Sequence, residues 1–310
     1  MEKIPFWLDT DTGVDDAFAL LAALHLRHAE LVGSSAVAGN VTHDKTFRNA
    51  RNVLAYFGHP EIPVYPGAGL PLKIPLQTAA YIRGNNGLGG AELPESEAPL
   101  ETMPAWEAIY KAACRYDDFE ITAVGPLTNI AIAVQNYPDL KYRVKRIRIM
   151  GGVAQGGTWT PCGEFNICVD PHAAEIVFQS GIPIMMFGID VTMKASVEPE
   201  DMDEIAAMNT RAGRLFTNSM DLATIVNTER YGRKAVAVHD VLPVLSYDYP
   251  ELFSGVHCGV HVETEGIYTS GMTVTDIWSA KKYRMKNAEV MLEVDRPAFI
   301  HVFKDLLRSV

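Results

Sequence analysis

Four aspartates, Asp9, Asp11, Asp15 and Asp16, crowd the short segment Leu8-Asp9-Thr10-Asp11-Thr12-Gly13-Val14-Asp15-Asp16-Ala17. Ionised together in a cleft they would repel one another strongly, so a cation or raised pKa values must compensate. A hard metal ion is the simplest answer. An all-oxygen set with several carboxylates suits Ca²⁺ or Mg²⁺, whereas zinc favours His and Cys. Ca²⁺ also accepts more ligands and tolerates uneven geometry, which leaves room for hydroxyls and water. The plainer alternative, in which Asp15 and Asp16 complement a helix dipole and Asp9 caps a turn, explains only part of the cluster.

Those aspartates need a scaffold. Residues 4–8 read as a buried strand and 14–28 as a helix after a glycine turn, so the cluster sits where a strand hands over to a helix. Residues i and i+2 leaving a strand share a side, which predicts that all four aspartates converge. The alternation recurs, with strands at 30–38, 120–124, 146–150 and 183–187 and helices at 43–57, 127–135 and 171–179. This pattern predicts the α/β class, a mostly parallel central sheet flanked by helices, with ligands at the carboxyl ends of the strands. The residues just past those strands are polar or small: Asp9 and Asp11, Gly39-Asn40, Gly125-Pro126 and Gly151-Gly152. Residues 66–104, rich in Gly and Pro, read as a long loop with at most a short helix, a common build for a lid. Further helices are expected at 199–208 and 210–227, and His239-Asp240 opens the segment 241–245. No internal repeat or composition shift marks a boundary, so a single domain spanning 1–310 is expected.

A chain of 310 residues that is 48% hydrophobic can bury a large core. With 27 basic and 38 acidic residues its net charge is −11, which argues against nucleic acid or an anionic membrane as partner and favours a small or neutral substrate. The start, Met1-Glu2-Lys3-Ile4-Pro5, runs directly into an apolar strand without the basic and long apolar regions of a signal peptide. The longest apolar stretch falls short of the ~20 residues that cross a bilayer. Cys114, Cys162, Cys168 and Cys258 show no CxxC pairing and no histidines at zinc spacing, so free thiols in a reducing cytoplasm are expected.

The motifs, taken in order, resemble the inosine-uridine-preferring nucleoside hydrolase family. Its N-terminal fingerprint, DxDxGxDDA, is matched by Asp9, Asp11, Gly13, Asp15, Asp16 and Ala17. Further matches are Gly39-Asn40, Gly125-Pro126-Leu127-Thr128-Asn129, Met150-Gly151-Gly152, Glu164-Phe165-Asn166 and His239-Asp240, which together cover nearly the whole chain. The resemblance implies a Rossmann-like nucleoside hydrolase fold and a homo-oligomer, dimer or tetramer. It also implies Ca²⁺ held by Asp11, Asp16 and Asp240 through carboxylates and by Val124 through its backbone carbonyl. Asp15, Asn40, Glu164 and Asn166 would bind ribose, with Met150 packed against the sugar and Phe165 walling the cleft.

The reaction implied is hydrolysis of the N-glycosidic bond of ribonucleosides to ribose and free base. Breaking that bond builds positive charge on the sugar, so nearby carboxylates lower the barrier. A water on the cation becomes more acidic, and Asp11 is placed to take its proton. The departing base gathers negative charge, and His239 is the available proton donor near neutral pH. Some purine-specific relatives carry Trp in its place, which puts this chain nearer a broad or pyrimidine-accepting branch.

Two positions depart from the family. Arg83 stands where relatives often have His, and Thr158 where an Asn supports the ribose 5′ end; Arg83 could serve base carbonyls or a 5′ substituent. Asn227 and Tyr231 fall where relatives contact the base, and a tyrosine can stack there. Two rival readings remain. A haloacid-dehalogenase-type Mg²⁺ phosphatase would use Asp9 as nucleophile with Asp11, but it leaves Glu164, Asn166, His239 and Asp240 without roles. A non-catalytic Ca²⁺-dependent nucleoside binder has no need of both a base and an acid.

Overall fold

The alternation read from the sequence is realised. The computed structural model describes residues 3–278 and 286–310, without the side chains of Arg230 and Tyr231. Among the described residues the strands are β1 (Ile4–Thr10), β2 (Ala29–Ala36), β3 (Val64–Pro66), β4 (Glu120–Ala123), β5 (Arg146–Met150), β6 (Ile184–Phe187), β7 (Phe253–Cys258), β8 (Val260–Val262), β9 (Thr273–Thr275) and β10 (Ala288–Val294). The α-helices are α1 (Val14–Leu24), α2 (His43–Tyr56), α3 (Ala80–Arg83), α4 (Ala105–Arg115), α5 (Thr128–Asn136), α6 (Phe165–Val169), α7 (Pro171–Phe178), α8 (Ile189–Thr192), α9 (Pro199–Met208), α10 (Arg211–Tyr231), α11 (Val241–Leu245) and α12 (Arg296–Arg308).

An eight-stranded sheet runs in the order β3-β2-β1-β4-β5-β6-β10-β7, and β8 pairs with β9 in a separate antiparallel pair. All neighbours in the large sheet are parallel except β10 and β7. Alternation along β1 feeds both faces: Phe6 and Leu8 join an apolar cluster with residues of α1, α10 and α12, while Trp7 joins a second with α4, α5 and α7. The chain winds outward from β1 through β2 to β3, then returns to β4 on the other side of β1. The carboxyl ends of β1 and β4 therefore frame the crevice where the strand order reverses, and Asp11 and Val124 lie there.

Several boundaries shift from the sequence reading. The first helix stops at Leu24 rather than continuing to 28, because the amides of Arg27 and His28 donate to Asp248 (2.8 and 2.9 Å) instead of to the preceding turn. Helix α10 runs on to Tyr231 and ends at Gly232, whose φ of 67° suits the left-handed cap. The 66–104 stretch contains one short helix, α3, as expected. An ion pair lies where strand patterning expects apolar residues. Arg148 Nε is 3.1 Å from Glu120 Oε2, its Nη1 donates to Ser246 Oγ at 2.7 Å, and the guanidinium lies 3.8 Å from the Tyr247 ring centroid. A buried pair so completely partnered avoids the penalty of a lone charge.

Asp248 ties the end of α1 to the exit of α11. Burial pushes its pKa up, but the Arg27 and His28 amides, aided by the Arg27 guanidinium, overcome this and hold it below the usual value. A depressed folded-state pKa contributes stability above the unfolded carboxylate value near 4, which is lost as pH falls through the folded value. Asp248→Asn is expected to lower the unfolding free energy at pH 7 by about 1–3 kcal/mol. In urea unfolding the gap to the unsubstituted chain narrows near pH 3.5, and an equal gap at both pH values would refute an ionic contribution.

Candidate active site

The site is assembled on loops leaving parallel strands and on the first turn of α1. Asp15, Asp16 and Asp240 each present a carboxylate oxygen so that the three atoms lie within 4.8 Å of one another. All three side chains are buried, as is Asp11. Asp16 is pinned on both oxygens: Thr10 Oγ1 donates to Oδ1 at 2.5 Å, and Gly13 N and Asn40 Nδ2 donate to Oδ2 at 2.9 and 3.0 Å. Asp11 Oδ2 accepts from Asn40 N at 2.7 Å. Gly39 and Gly125 press on the Asp11 carboxylate from two sides; a Cβ on Gly125 would meet Asp11 Oδ1 at 2.9 Å, and one on Gly39 would overlap Oδ2.

Burial, and next the charge of Asp16, lift the Asp11 pKa well above the carboxylate range. For Asp16 and Asp240 the causes are burial and then the charge of Asp15. One cation answers them. Arg83 brings Nη2 to 2.9 Å from Asp15 Oδ1 and donates from Nε to Asn40 Oδ1 at 3.3 Å. The contact with Asp15 is close but poorly angled, and Oδ1 has no true hydrogen-bond partner among the described residues. Burial opposes the charge on Arg83, but Asp15, Asp240, Asp16 and Asp11 outweigh it and raise its pKa. An oxygen-only donor set with an orphaned buried carboxylate oxygen fits a hard divalent cation.

Asp9 does not join this group, contrary to the expectation of four converging aspartates. It lies within β1, and its Oδ1 accepts from Ser35 Oγ and, at 2.8 Å, from Asn129 Nδ2. The strand ends at Thr10, so the i, i+2 rule does not carry through to Asp11. Burial drives the Asp9 pKa up to about 7, against those two hydrogen bonds, and the residue lines no part of the cleft. That placement removes the nucleophile of the phosphatase reading.

One cleft gathers nearly all the remaining candidates: Asp11, Asp15, Asn40, Arg83, Val124, Met150, Thr158, Glu164, Phe165, Asn166, Asn227, His239 and Asp240 line it. Asp16 stands behind them, and the Tyr231 side chain lies outside the described residues. Asn166 Nδ2 donates to the carbonyls of Val124 (2.9 Å) and Met150 (3.1 Å). Glu164 is the N-cap of α6: Oε1 accepts from Asn166 N at 2.9 Å, and Oε2 from Gly152 N at 2.9 Å and Ile167 N at 3.3 Å. Burial lifts its pKa to about 7 despite those amides. Asn227 Nδ2 donates to the Ala235 carbonyl at 2.9 Å.

His239 shares a 2.7 Å hydrogen bond through Nδ1 with Thr192 Oγ1. Burial lowers its pKa to about 4, with Asp15 opposing and Arg83 adding to the shift. At pH 7 the ring is neutral, so what it offers a leaving base is an N–H. Sequence reasoning missed the wall around it, which includes Trp159, Ile189, Met193, Val226 and Val236. Trp159 packs edge-on to Phe165 (4.8 Å) and reaches Tyr81 on α3 (6.1 Å), joining the lid to the 158–163 turn. The aromatic Trp159 just ahead of the Glu164-Phe165-Asn166 motif was a legible signal. The aliphatic residues carried none, since core and cleft walls use the same types.

Comparison with known proteins agrees with this geometry. The chain is 38% identical over 307 residues to a pyrimidine-specific ribonucleoside hydrolase, RihA, of Escherichia coli, covering 98% of each chain. It is 39% identical over 306 residues to the protein of the same name from Citrobacter koseri, again covering 98% of each. Among solved structures, a purine-preferring ribonucleoside hydrolase from Gardnerella vaginalis superposes with a TM-score of 0.91 at 31% identity, over 99% of this chain and 100% of the other. Residues 6–301 match the family described as inosine-uridine preferring nucleoside hydrolase, and the chain belongs to that family.

Proposed function

We propose that residues 1–310 act as one domain that hydrolyses the N-glycosidic bond of ribonucleosides with Ca²⁺, accepting pyrimidine nucleosides. The observation that carries this is the joining, in one cleft, of Asp11, Asp15 and Asp240, with Asp16 behind them, and of Asn40, Asn166 and His239. Asp11, Asp16 and Asp240 would hold the cation with the Val124 carbonyl, and Asp15, which has a carboxylate oxygen within 4.8 Å of those of Asp16 and Asp240, would border it. When bound, Ca²⁺ supplies Lewis acidity toward water and sugar hydroxyls.

The chain's own groups do the rest. Asp11, whose Oδ2 is held by the Asn40 amide at the cleft, takes the proton of the attacking water. Asn40 and Asn166 orient the sugar, and Asp15 accepts from a ribose hydroxyl. The carboxylates also stabilise positive charge growing on the ribosyl ring. His239 donates its N–H to the base as it leaves. Apolar walls exclude water and strengthen each of these interactions. The 38–39% identity to pyrimidine-specific relatives supports the base preference. A homo-oligomer in the cytoplasm completes the reading, supported by the family and by Cys114, Cys162, Cys168 and Cys258, which are free thiols.

Ribose release from uridine is expected to fall on prolonged chelation and to return when Ca²⁺ is restored. Asp11→Ala is expected to lower kcat about 100-fold or more; tight uridine binding without ribose release in the unsubstituted chain would favour the non-catalytic binder.

Arg83 is already neutralised by four carboxylates, so the cleft offers no net positive charge to a phosphate. Uridine is therefore expected to exceed its 5′-monophosphate in kcat/KM by about 100-fold or more, since like-charge encounters cost several kcal/mol. Comparable turnover of the two would reverse the assignment of Arg83.

A further inference from the structure

The two ring nitrogens of His239 meet different surroundings, Nδ1 lying against the Thr192 hydroxyl, so the usefulness of the ring depends on which nitrogen carries a proton. A neutral imidazole has one donor and one acceptor. Only a hydrogen on Nε2 leaves the ring with a donor beyond the one atom that Thr192 already occupies.

The partner of Nδ1 decides this. Thr192 closes α8, is 0% exposed, and its Oγ1 lies 2.7 Å from His239 Nδ1. The Thr192 hydroxyl makes no other hydrogen bond among the described residues. Two arrangements are conceivable. If Nδ1–H donated to Oγ1, the hydroxyl proton would be buried without an acceptor, which costs about 1–3 kcal/mol. If the hydroxyl donates to Nδ1, the hydroxyl proton is used and Nε2 carries the ring proton.

We propose that Thr192 is a positioning residue that donates from Oγ1 to His239 Nδ1 and so fixes the Nε2–H tautomer that serves the departing base. The proposal rests on the hydrolase reading above. In the balance, the C–N bond breaks with its electron pair going to the base, the hydroxyl of the attacking water bonds to the ribosyl carbon, and the base leaves as an anion that accepts a hydrogen bond from Nε2–H on its nitrogen or conjugated oxygen. The proton taken from water by Asp11 restores the account after release. Gly188, directly after β6, caps the start of α8. The sheet itself therefore sets the height of the hydroxyl over the cleft.

The test compares two ribosides whose leaving groups differ in their need for a hydrogen-bond donor. Uridine must have its base stabilised as it leaves, whereas 4-nitrophenyl β-ribofuranoside departs as a stable phenolate. Thr192→Val, which keeps the shape and removes the hydroxyl, is expected to lower kcat for uridine at least about 10-fold, while the nitrophenyl riboside loses far less. Thr192→Ser restores most of the uridine rate. Nitrogen-15 NMR of the unsubstituted protein is expected to show His239 protonated on Nε2 and not on Nδ1. Equal losses on both substrates, no loss on either, or an Nδ1–H ring would overturn the proposal. If the unsubstituted protein cleaved neither riboside, the hydrolase reading itself would fail, and the NMR result would still decide the tautomer.

Discussion

Holding several carboxylates together inside a low-dielectric crevice is the constraint on which the rest of the site depends. Asp11, Asp15, Asp16 and Asp240 would not stay buried side by side without compensation. The chain provides three kinds: hydrogen-bond donors from Thr10, Gly13 and Asn40, the guanidinium of Arg83, and upward pKa shifts that relieve part of the charge. A doubly wound sheet suits this task because its switch point leaves a gap between the ends of β1 and β4. The first turn of α1 then brings its amides and its two aspartates to that gap.

The same dryness acts in opposite directions on acids and bases. It raises the carboxylates and lowers His239, so one cleft contains a base of increased strength and a ring that stays neutral at pH 7. This is the division of labour that bond cleavage between a sugar and a base requires, with positive charge stabilised on one side and negative charge on the other.

Much of this was legible because it is local. The acidic turn, the Gly-rich strand exits and the Glu164-Phe165-Asn166 and His239-Asp240 pairs are short motifs whose chemistry shows in the residue types. The parallel core was readable from strand and helix periods through 187. The strands β7 and β10 and helix α12 were not assigned, and they complete one side of the sheet. Alternation alone lets Asp9 converge with the other aspartates, but the chain leaves extended geometry one residue too early, and Asp9 instead joins Ser35 and Asn129 behind the cleft. Glu164 lines the cleft as a sugar-ligand candidate, and the three backbone amides that hold its oxygens are a feature only a three-dimensional arrangement can reveal. Arg148 and Thr192 act through partners far away in sequence, so no window around either residue signals a role.

The two glycines beside Asp11 have a consequence for how such a site can be altered. Neither Gly39 nor Gly125 can accept even a methyl group without displacing the carboxylate between them. The floor of the cleft is thus sterically frozen. The exposed Tyr81 and the aliphatic walls have latitude to vary, whereas Arg83 is tied to Asp15. New base preferences can be engineered from the rim downward while the sugar and cation end stays as it is.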